Sequence, residues 1–274
     1  MRFAKGHGTE NDFVILLDPD GSGGLTAGLA ARLCDRRAGI GGDGVLRAVR
    51  TSALGAPGAT AGGAEWFMDY RNADGSLAEM CGNGIRVFAR YLAQHGLVAG
   101  PEFTVATGSG PRRVRLGAGG DVTADMGAVA VLGPGRAVVA GRAHAGLRVS
   151  VGNPHLACLV EESLASFDLS RPPGLDPGQF PAGGNVELVR VTGPRSVAMR
   201  VHERGSGETR SCGTGAVAAA AAAATAAGGD GGAWTVDVPG GQLTVTLDAD
   251  RAWLTGPAVI VAEGELAPAW LAAT

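Results

Sequence analysis

Apolar positions along the 274-residue chain fall mostly in short runs bounded by Gly, Pro, Asn or Asp, a pattern that predicts strands. In the first half the predicted strands are Phe13–Asp18, Val45–Val49, Glu65–Tyr70, Glu102–Ala106, Arg113–Leu116 and Val122–Met126. Leu147–Val151, Leu156–Val160, Asn185–Val191, Ser196–Glu203, Trp234–Val238, Leu243–Leu247 and Ala258–Val261 continue the series. Helical spacing is rarer. One helix is expected from near Thr26, a good N-cap, with Leu29 and Leu33 on one side. A second follows Cys81-Gly82-Asn83-Gly84, where Ile85, Phe88 and Leu92 share a face and Gly96 closes the end. A third follows Cys212-Gly213-Thr214-Gly215 into AVAAAAAAATAA, almost pure alanine, the best helix former. Alanine has little side chain to hold water away, so this helix is expected inside a shell that closes tightly around it. The small-residue segment 51–64 reads as a mobile loop, and Arg171–Pro181, with Pro172, Pro173 and Pro177, as an irregular connector.

The two cysteine-headed helices have matching surroundings. Asn72-Ala73-Asp74-Gly75 precedes Cys81 at the same distance as Glu203-Arg204-Gly205-Ser206 precedes Cys212. Val105-Ala106-Thr107-Gly108 and Val238-Pro239-Gly240-Gly241 then follow the two helices, and the cysteines lie close to half a chain length apart. The expected fold class is α/β of the α+β type. Two pseudo-symmetric halves would each wrap a barrel-like mixed β-sheet around a central helix, with an active site in the cleft between them. The halves are set at residues 1–120 plus 257–274, carrying Cys81, and 121–256, carrying Cys212.

Composition narrows the function. Glycine supplies 47 residues, well above the usual level of roughly 7%, but without the three-residue period of collagen. A net charge of −3 and a pI near 6.0 argue against a partner bound by phosphate neutralisation, so no nucleic acid is expected. The cluster Arg112, Arg113 and Arg115 is read as the solvent face of a strand. The longest alanine-rich run, Ala216–Ala227, is shorter than the ~18 apolar residues a membrane span needs. The opening residues hold no signal-type apolar run, and the four cysteines show no C-x-x-C spacing. A cytoplasmic protein with free thiols and no membrane partner is expected.

A helix N-terminus presents amides and a partial positive charge, which favour a thiolate and an anionic ligand. Glycines behind each cysteine leave those amides bare. Two such tips would place two thiols on opposite sides of a small ligand, suited to removing a proton from one face of a carbon and returning it on the other. Pyridoxal phosphate, the usual aid to amino-acid racemisation, needs a Schiff-base lysine. Lys5 is the only lysine among 23 basic residues and has no phosphate cup beside it, so no cofactor is expected.

The motifs HGTENDF (His7–Phe13), RRAGIGGDG (Arg36–Gly44), NADGSLAEMCGNGIR (Asn72–Arg86), GNPH (Gly152–His155), FPAGGNVE (Phe180–Glu187), ERGSGETRSCGTGA (Glu203–Ala216) and VPGGQL (Val238–Leu243) resemble those of diaminopimelate epimerases in content and order. The resemblance implies epimerisation of LL-2,6-diaminopimelate to the meso form without pyridoxal phosphate or a metal, in the route to lysine and peptidoglycan precursors. It implies Cys81 and Cys212 as the two bases. It implies Gly82, Asn83, Gly213 and Thr214 as the groups gripping the α-carboxylate, and Asn11, Asn72, Asn153, Asn185, Glu203 and Arg204 as further substrate contacts. Arg204 would suit the distal carboxylate and Glu203 the distal ammonium. It also implies a homodimer. Departures from the family pattern at Glu10, Gly42 and Gly44 touch loop contacts only. For His155 a site role and a packing role stay open.

Other readings stand beside this one. A proline or hydroxyproline racemase shares the paired cysteines, though such enzymes carry histidine where this chain has Asn83. Cys81 and Cys212 could also form a redox switch. Gly39–Gly44 fits G-x-G-x-x-G, but it follows a helix and precedes a strand, the reverse of a dinucleotide site. Cys34 and Cys158 are read as core thiols and His95 as a partner of its helix C-terminus, while His144 and His202 receive no role.

Overall fold

The computed structural model describes residues 1–55, 62–117, 119–229, 231–249 and 251–272. The chain divides into two units, residues 1–124 with 257–274, and residues 125–256. Most elements are strands and few are helices, an α+β composition.

The first unit begins with β1 (Arg2–Gly8), β2 (Asn11–Leu17), α1 (Ala27–Cys34), β3 (Gly44–Arg50) and β4 (Trp66–Asn72). It continues through the two-residue β5 (Leu77–Ala78), α2 (Gly82–Gln94), β6 (Glu102–Thr107) and β7 (Gly110–Leu116) to the start of β8 (Asp121–Gly127). The second unit holds β9 (Ala130–Val139), β10 (Arg142–Ser150), β11 (Pro154–Leu159), the short β12 (Gly174–Leu175) and β13 (Asn185–Gly193). After these come β14 (Ser196–Glu203), the short β15 (Gly207–Thr209), α3 (Gly213–Ala226), β16 (Gly232–Val238), β17 (Gly241–Leu247) and β18 (Ala252–Pro257). The chain returns to the first unit as β19 (Val259–Glu265) and α4 (Pro268–Ala272).

In the first unit the strands run β19-β1-β2-β3-β4-β6-β7-β8, mostly antiparallel, with β2–β3 and β4–β6 parallel. Alternation along β2 serves two layers at once. Phe13 and Ile15 join Ile85, Phe88 and Leu92 of α2, while Val14 and Leu16 join Leu29 and Leu33 of α1. With both faces covered, β2 has the continuous apolar run seen in its sequence. Thr26 caps α1 through its hydroxyl, 3.1 Å from the amide of Leu29.

The second unit orders its strands β12-β9-β10-β11-β13-β14-β16-β17-β18, with β15 beside β14. Its centre is α3. Every residue from Ala216 to Ala224 is buried, with no polar stripe, against β10, β11, β13, β14, β16 and β17. A helix apolar all round must be enclosed on all sides. Methyl side chains let the strands approach the helix backbone closely, and the sheet supplies the cover alanine lacks.

Three strands of six residues or more escape the periodicity reading, as do the short β5, β12 and β15. β1 carries only Phe3 and Ala4 as apolar residues but is held between β2 and β19. β9 is mostly exposed and interrupted by Gly133, Pro134 and Gly135, yet it pairs with β10. β18 precedes the expected Ala258–Val261 strand, whose residues mostly fall in β19. Of the segment 51–64, Thr51–Ala53 forms a 3₁₀ turn, while residues 56–61 lie outside the described residues. Within Arg171–Pro181 the chain forms β12. Arg113 and Arg115 are exposed on β7, as a solvent face requires, whereas Arg112 points to the opposite face of the strand and is half-buried. Among the described residues no helix is long and apolar enough to cross a membrane.

Two consequences can be measured. Ala220→Leu, at the enclosed centre of α3, should cost about 1–3 kcal/mol in urea unfolding, whereas Ala226→Leu on its exposed last turn should stay within about 0.5 kcal/mol. Cys158 on β11 is buried, and burial pushes its thiol from the ordinary 9.0 up to about 12. The unfolded chain therefore ionises first: the stability this thiol contributes is whole below pH 9.0 and is lost as pH rises towards about 12. Cys158→Ala should flatten that alkaline limb of a stability–pH profile; an unchanged limb would refute the assignment.

Candidate active site

In the first unit the strand-and-turn segment before α2 delivers Cys81 in an extended conformation, φ −141° and ψ 122°, at the helix N-cap. Its sulfur accepts the amide of Gly84 at 3.3 Å and its thiol donates to Asn11 Oδ1 at 3.7 Å. Asn11 Nδ2 donates to Asp43 Oδ2 at 2.7 Å, which fixes the amide with its oxygen towards the cysteine. Asn83 Nδ2 reaches the same oxygen at 3.2 Å, and its own oxygen accepts from Arg86 at 2.9 Å. Asn11, Cys81, Gly82 and Asn83 thus form one group. Among the described residues Asn72 is not hydrogen-bonded to this group; its amide donates to Ser76 Oγ at 3.0 Å in the turn between β4 and β5.

Behind Asn11 lies an ion-pair chain that explains RRAGIGGDG. Arg36 bridges Asp12 at 2.7 Å and Asp43 at 2.8 Å, and Lys5 Nζ pairs with Asp12 at 2.6 Å and bonds the Gly41 carbonyl. Burial works to raise the Asp12 carboxyl, but Arg36 and Lys5 outweigh it and hold Asp12 well below the usual carboxylate range. Asp43 goes the other way, raised by burial and by the charge of Asp12 despite the bond from Asn11.

In the second unit Cys212 has the same pose at the head of α3, φ −127° and ψ 118°, and its sulfur accepts the amide of Gly215 at 3.3 Å. Gly215 has no room for a side chain: a Cβ there would lie 2.9 Å from Glu187 Oε1 and 3.3 Å from the cysteine sulfur. Thr214 Oγ1 lies 3.5 Å from that sulfur and accepts from Asn153 at 3.4 Å. Asn153 Oδ1 lies 3.0 Å from His155 Nε2, and His155 Nδ1 lies 2.7 Å from Glu187 Oε1. Both members of that last pair are fully buried. Register aids this grouping, since His155 sits beside Asn185 on the neighbouring parallel strand, and Glu187 follows Asn185 by two on one face.

Glu203, at the end of β14, accepts the Thr209 hydroxyl and is raised by burial, an effect that bonds from Thr209 and Cys212 reduce. Burial pushes the Cys212 thiol well above the ordinary thiol value, and the charges of Glu203 and Glu187 add to it, against bonds from Thr214 and Gly215. Asn185 Oδ1 accepts the backbone amide of Arg204 at 2.8 Å, and the exposed Arg204 side chain donates to the Ala182 carbonyl. Asn153, Thr214, Cys212 and Glu203 therefore cluster, and Asn185 holds the Arg204 backbone beside them.

Sequence reasoning gave Glu187, Arg86 and Asp43 no role. Glu187 closes FPAGGNVE two residues after Asn185, and Arg86 stands five residues after Cys81, so strand and helix spacing carried the signal. His155 proves to be a buried, doubly bonded link between Asn153 and Glu187. Cys34 is buried with its thiol raised to about 11, mainly by burial. His95 caps the C-terminus of α2 and its ring lies 3.1 Å from Glu263. His202 is bound to the Leu169 carbonyl, and His144 packs edge-on to Phe167.

The model of the family described as "Diaminopimelate epimerase" matches residues 3–132 and 147–265. The chain is 60% identical to the diaminopimelate epimerase of Thermobifida fusca over 270 residues, 97% of this chain and 98% of that one. It is 53% identical to the diaminopimelate epimerase of Rhodococcus opacus over 98% of each chain. In fold it is similar to a phenazine biosynthesis protein of the PhzF family from Bacillus anthracis, with a TM-score of 0.71 at 16% identity, covering 97% of this chain and 99% of that one.

The His155–Glu187 pair gives a direct test of this site's rigidity. His155→Ala leaves a buried carboxylate without its partner and should cost more than about 1–3 kcal/mol. The loss should show in urea unfolding; a change within error would mean that water fills the site freely.

Proposed function

The chain belongs to the diaminopimelate epimerase family, and from this we propose that it interconverts LL- and meso-diaminopimelate with Cys81 and Cys212 as the two bases. One cysteine, as thiolate, takes the α-proton; the other, as thiol, gives a proton to the opposite face of the carbanion. The net change is inverted configuration at one carbon, with thiolate and thiol exchanged. The reverse reaction starts from the exchanged state.

The observation that carries the reading is the repeated tip: each cysteine is an N-cap whose sulfur accepts the third amide of its helix at 3.3 Å. Helix-tip amides favour both the sulfur anion and an incoming carboxylate. Gly82 and Asn83, and Gly213 and Thr214, head the first turns and are assigned to the α-carboxylate, where negative charge also develops during proton removal. Asn11, Asn72, Asn153 and Asn185 are assigned to orienting the substrate, Glu203 to the distal ammonium and Arg204 to the distal carboxylate.

A cofactor-free and metal-free route completes the reading. Lys5, the only lysine, supports it by being tied to Asp12 and the Gly41 carbonyl rather than presented for a Schiff base. Placement in the cytoplasm, a homodimeric state and a role in lysine and peptidoglycan precursor synthesis follow from family resemblance as part of the same proposal.

Proton exchange at the α-carbon in deuterated water tests the assignment. Cys81→Ala and Cys212→Ala should each abolish epimerisation of diaminopimelate. Full activity in either single variant would refute the two-base scheme. Turnover of free proline, with none of diaminopimelate, would move the protein to the racemase reading.

A further inference from the structure

We propose that Arg86 is the positioning residue of the first helix tip, its buried guanidinium fixing Asn83 and supplying the positive charge that makes Cys81 the thiolate of the resting pair. The proposal rests on the two-base reading and adds which sulfur carries the charge and why.

Arg86 is fully buried, its exposure 0%, and among the described residues it forms no ion pair with a carboxylate. Its Nη1 donates to Asn83 Oδ1 at 2.9 Å and to the Gly82 carbonyl at 3.3 Å, and its Nη2 reaches the Pro257 carbonyl at 3.5 Å. Its Nε is buried with no hydrogen-bond partner among the described residues. An arginine without a carboxylate in such a place keeps its charge at high desolvation cost. Burial lowers it to about 10, and the ionisable groups acting against that are Cys81 and Asp121. Space for it is built in: a Cβ at Gly8 would stand 2.9 Å from Nη2 and 3.3 Å from the Asn83 carbonyl, which accounts for that glycine in HGTENDF.

Several other charges on the strands against α2 are engaged elsewhere. Lys5 of β1 is paired with Asp12 of β2, and Arg47 of β3 with Asp18 and Asp69. Arg115 of β7 pairs with Glu102, and Glu263 of β19 meets His95 at the far end of the helix. Asn11 Oδ1 opposes Arg86: it accepts the Cys81 thiol proton and so favours the neutral form. At 3.7 Å to a neutral acceptor, that bond is weaker than a desolvated full charge.

The second tip is built with the opposite sign. Counted from the cysteine, the position of Arg86 is taken by Val217, a fully buried hydrocarbon. Around Cys212 stand Glu203 of β14 and Glu187 of β13, the latter held by His155 of β11. Glu187 Oε1 lies against the first turn of α3, and its negative charge disfavours a second anion on the neighbouring sulfur. The caps are alike, and the surroundings divide them into a resting thiolate and a resting thiol.

Alkylation by iodoacetamide from roughly pH 6 to 11, resolved by mass spectrometry of the two cysteine peptides, tests this in the whole protein without substrate. In the wild type the midpoint for Cys81 should lie below that of Cys212 by roughly one pH unit or more. Arg86→Gln, which keeps hydrogen-bonding groups but no charge, should raise the Cys81 midpoint by roughly one unit, about a tenfold slower reaction at neutral pH, and leave Cys212 unmoved. Arg86→Lys should stay near the wild type, and it decides the matter should the glutamine variant fail to fold. Cys212 titrating at or below Cys81 in the wild type, or a Cys81 midpoint indifferent to loss of the charge, would overturn the inference. Failure of the wild type to turn over diaminopimelate would instead remove the functional reading and leave these titrations standing.

Discussion

Each long helix begins with a hydrogen bond from its third amide to a cysteine sulfur, and much of the surrounding structure serves that contact. Sulfur is a weak acceptor beside the hydroxyl or carboxylate oxygens that usually cap helices. The cap therefore adds little to helix stability, and the helices must be held by burial. α2 is held by Ile85, Phe88 and Leu92 in a large-residue core, while α3 is held by strands that close on its alanines. Glycine suits the third helical position because a Cβ at Gly84 would stand 3.2 Å from Leu46 Cδ2 and 3.3 Å from the Cys81 Cβ, and one at Gly215 2.9 Å from Glu187 Oε1 and 3.3 Å from the Cys212 sulfur. At these two positions glycine leaves room for the cysteine and for the side chains packed beside it.

The same contact serves two different electrostatic settings. In the first unit a chain of opposite charges, Lys5, Asp12, Arg36 and Asp43, ends on the amide of Asn11 and turns its oxygen to the cysteine. In the second, a carboxylate and an imidazole lock together beneath the helix and hold Asn153 against Thr214. The His155–Glu187 pair is fully buried and fixes geometry because a displaced member would be left unpaired in a low dielectric, whereas Arg36 in the first chain of charges is largely exposed. The halves share a framework and differ in the polar residues set into it.

Much of this was legible in the sequence because the signals are local. Thr26, Gly96, the alternation in most strands and the CGNG and CGTG helix starts act through the chain's own neighbours. The enclosed position of α3 followed from alanine alone, since no other arrangement buries so featureless a helix. The strands that were missed have the opposite character. β1 is polar but lies between two partners, and β9 is broken by Gly133, Pro134 and Gly135 yet pairs along its length. Their stability comes from backbone bonds to strands distant in sequence, which side-chain patterning does not report.

By itself the sequence determined the family, the strand-rich build of two similar halves and the two cysteines at helix starts, because motif order, periodicity and capping are all written in adjacent residues. Tertiary structure alone decided which polar residues surround each sulfur. Arg86 is fully buried with no carboxylate paired to it among the described residues, Glu187 lies against α3 rather than in solvent, and Asn72 bonds within its own turn. Those outcomes depend on strand register and on how completely water is excluded. A charge's effect on a nearby thiol is set by distance and dielectric, and neither is a property of the chain until it has folded.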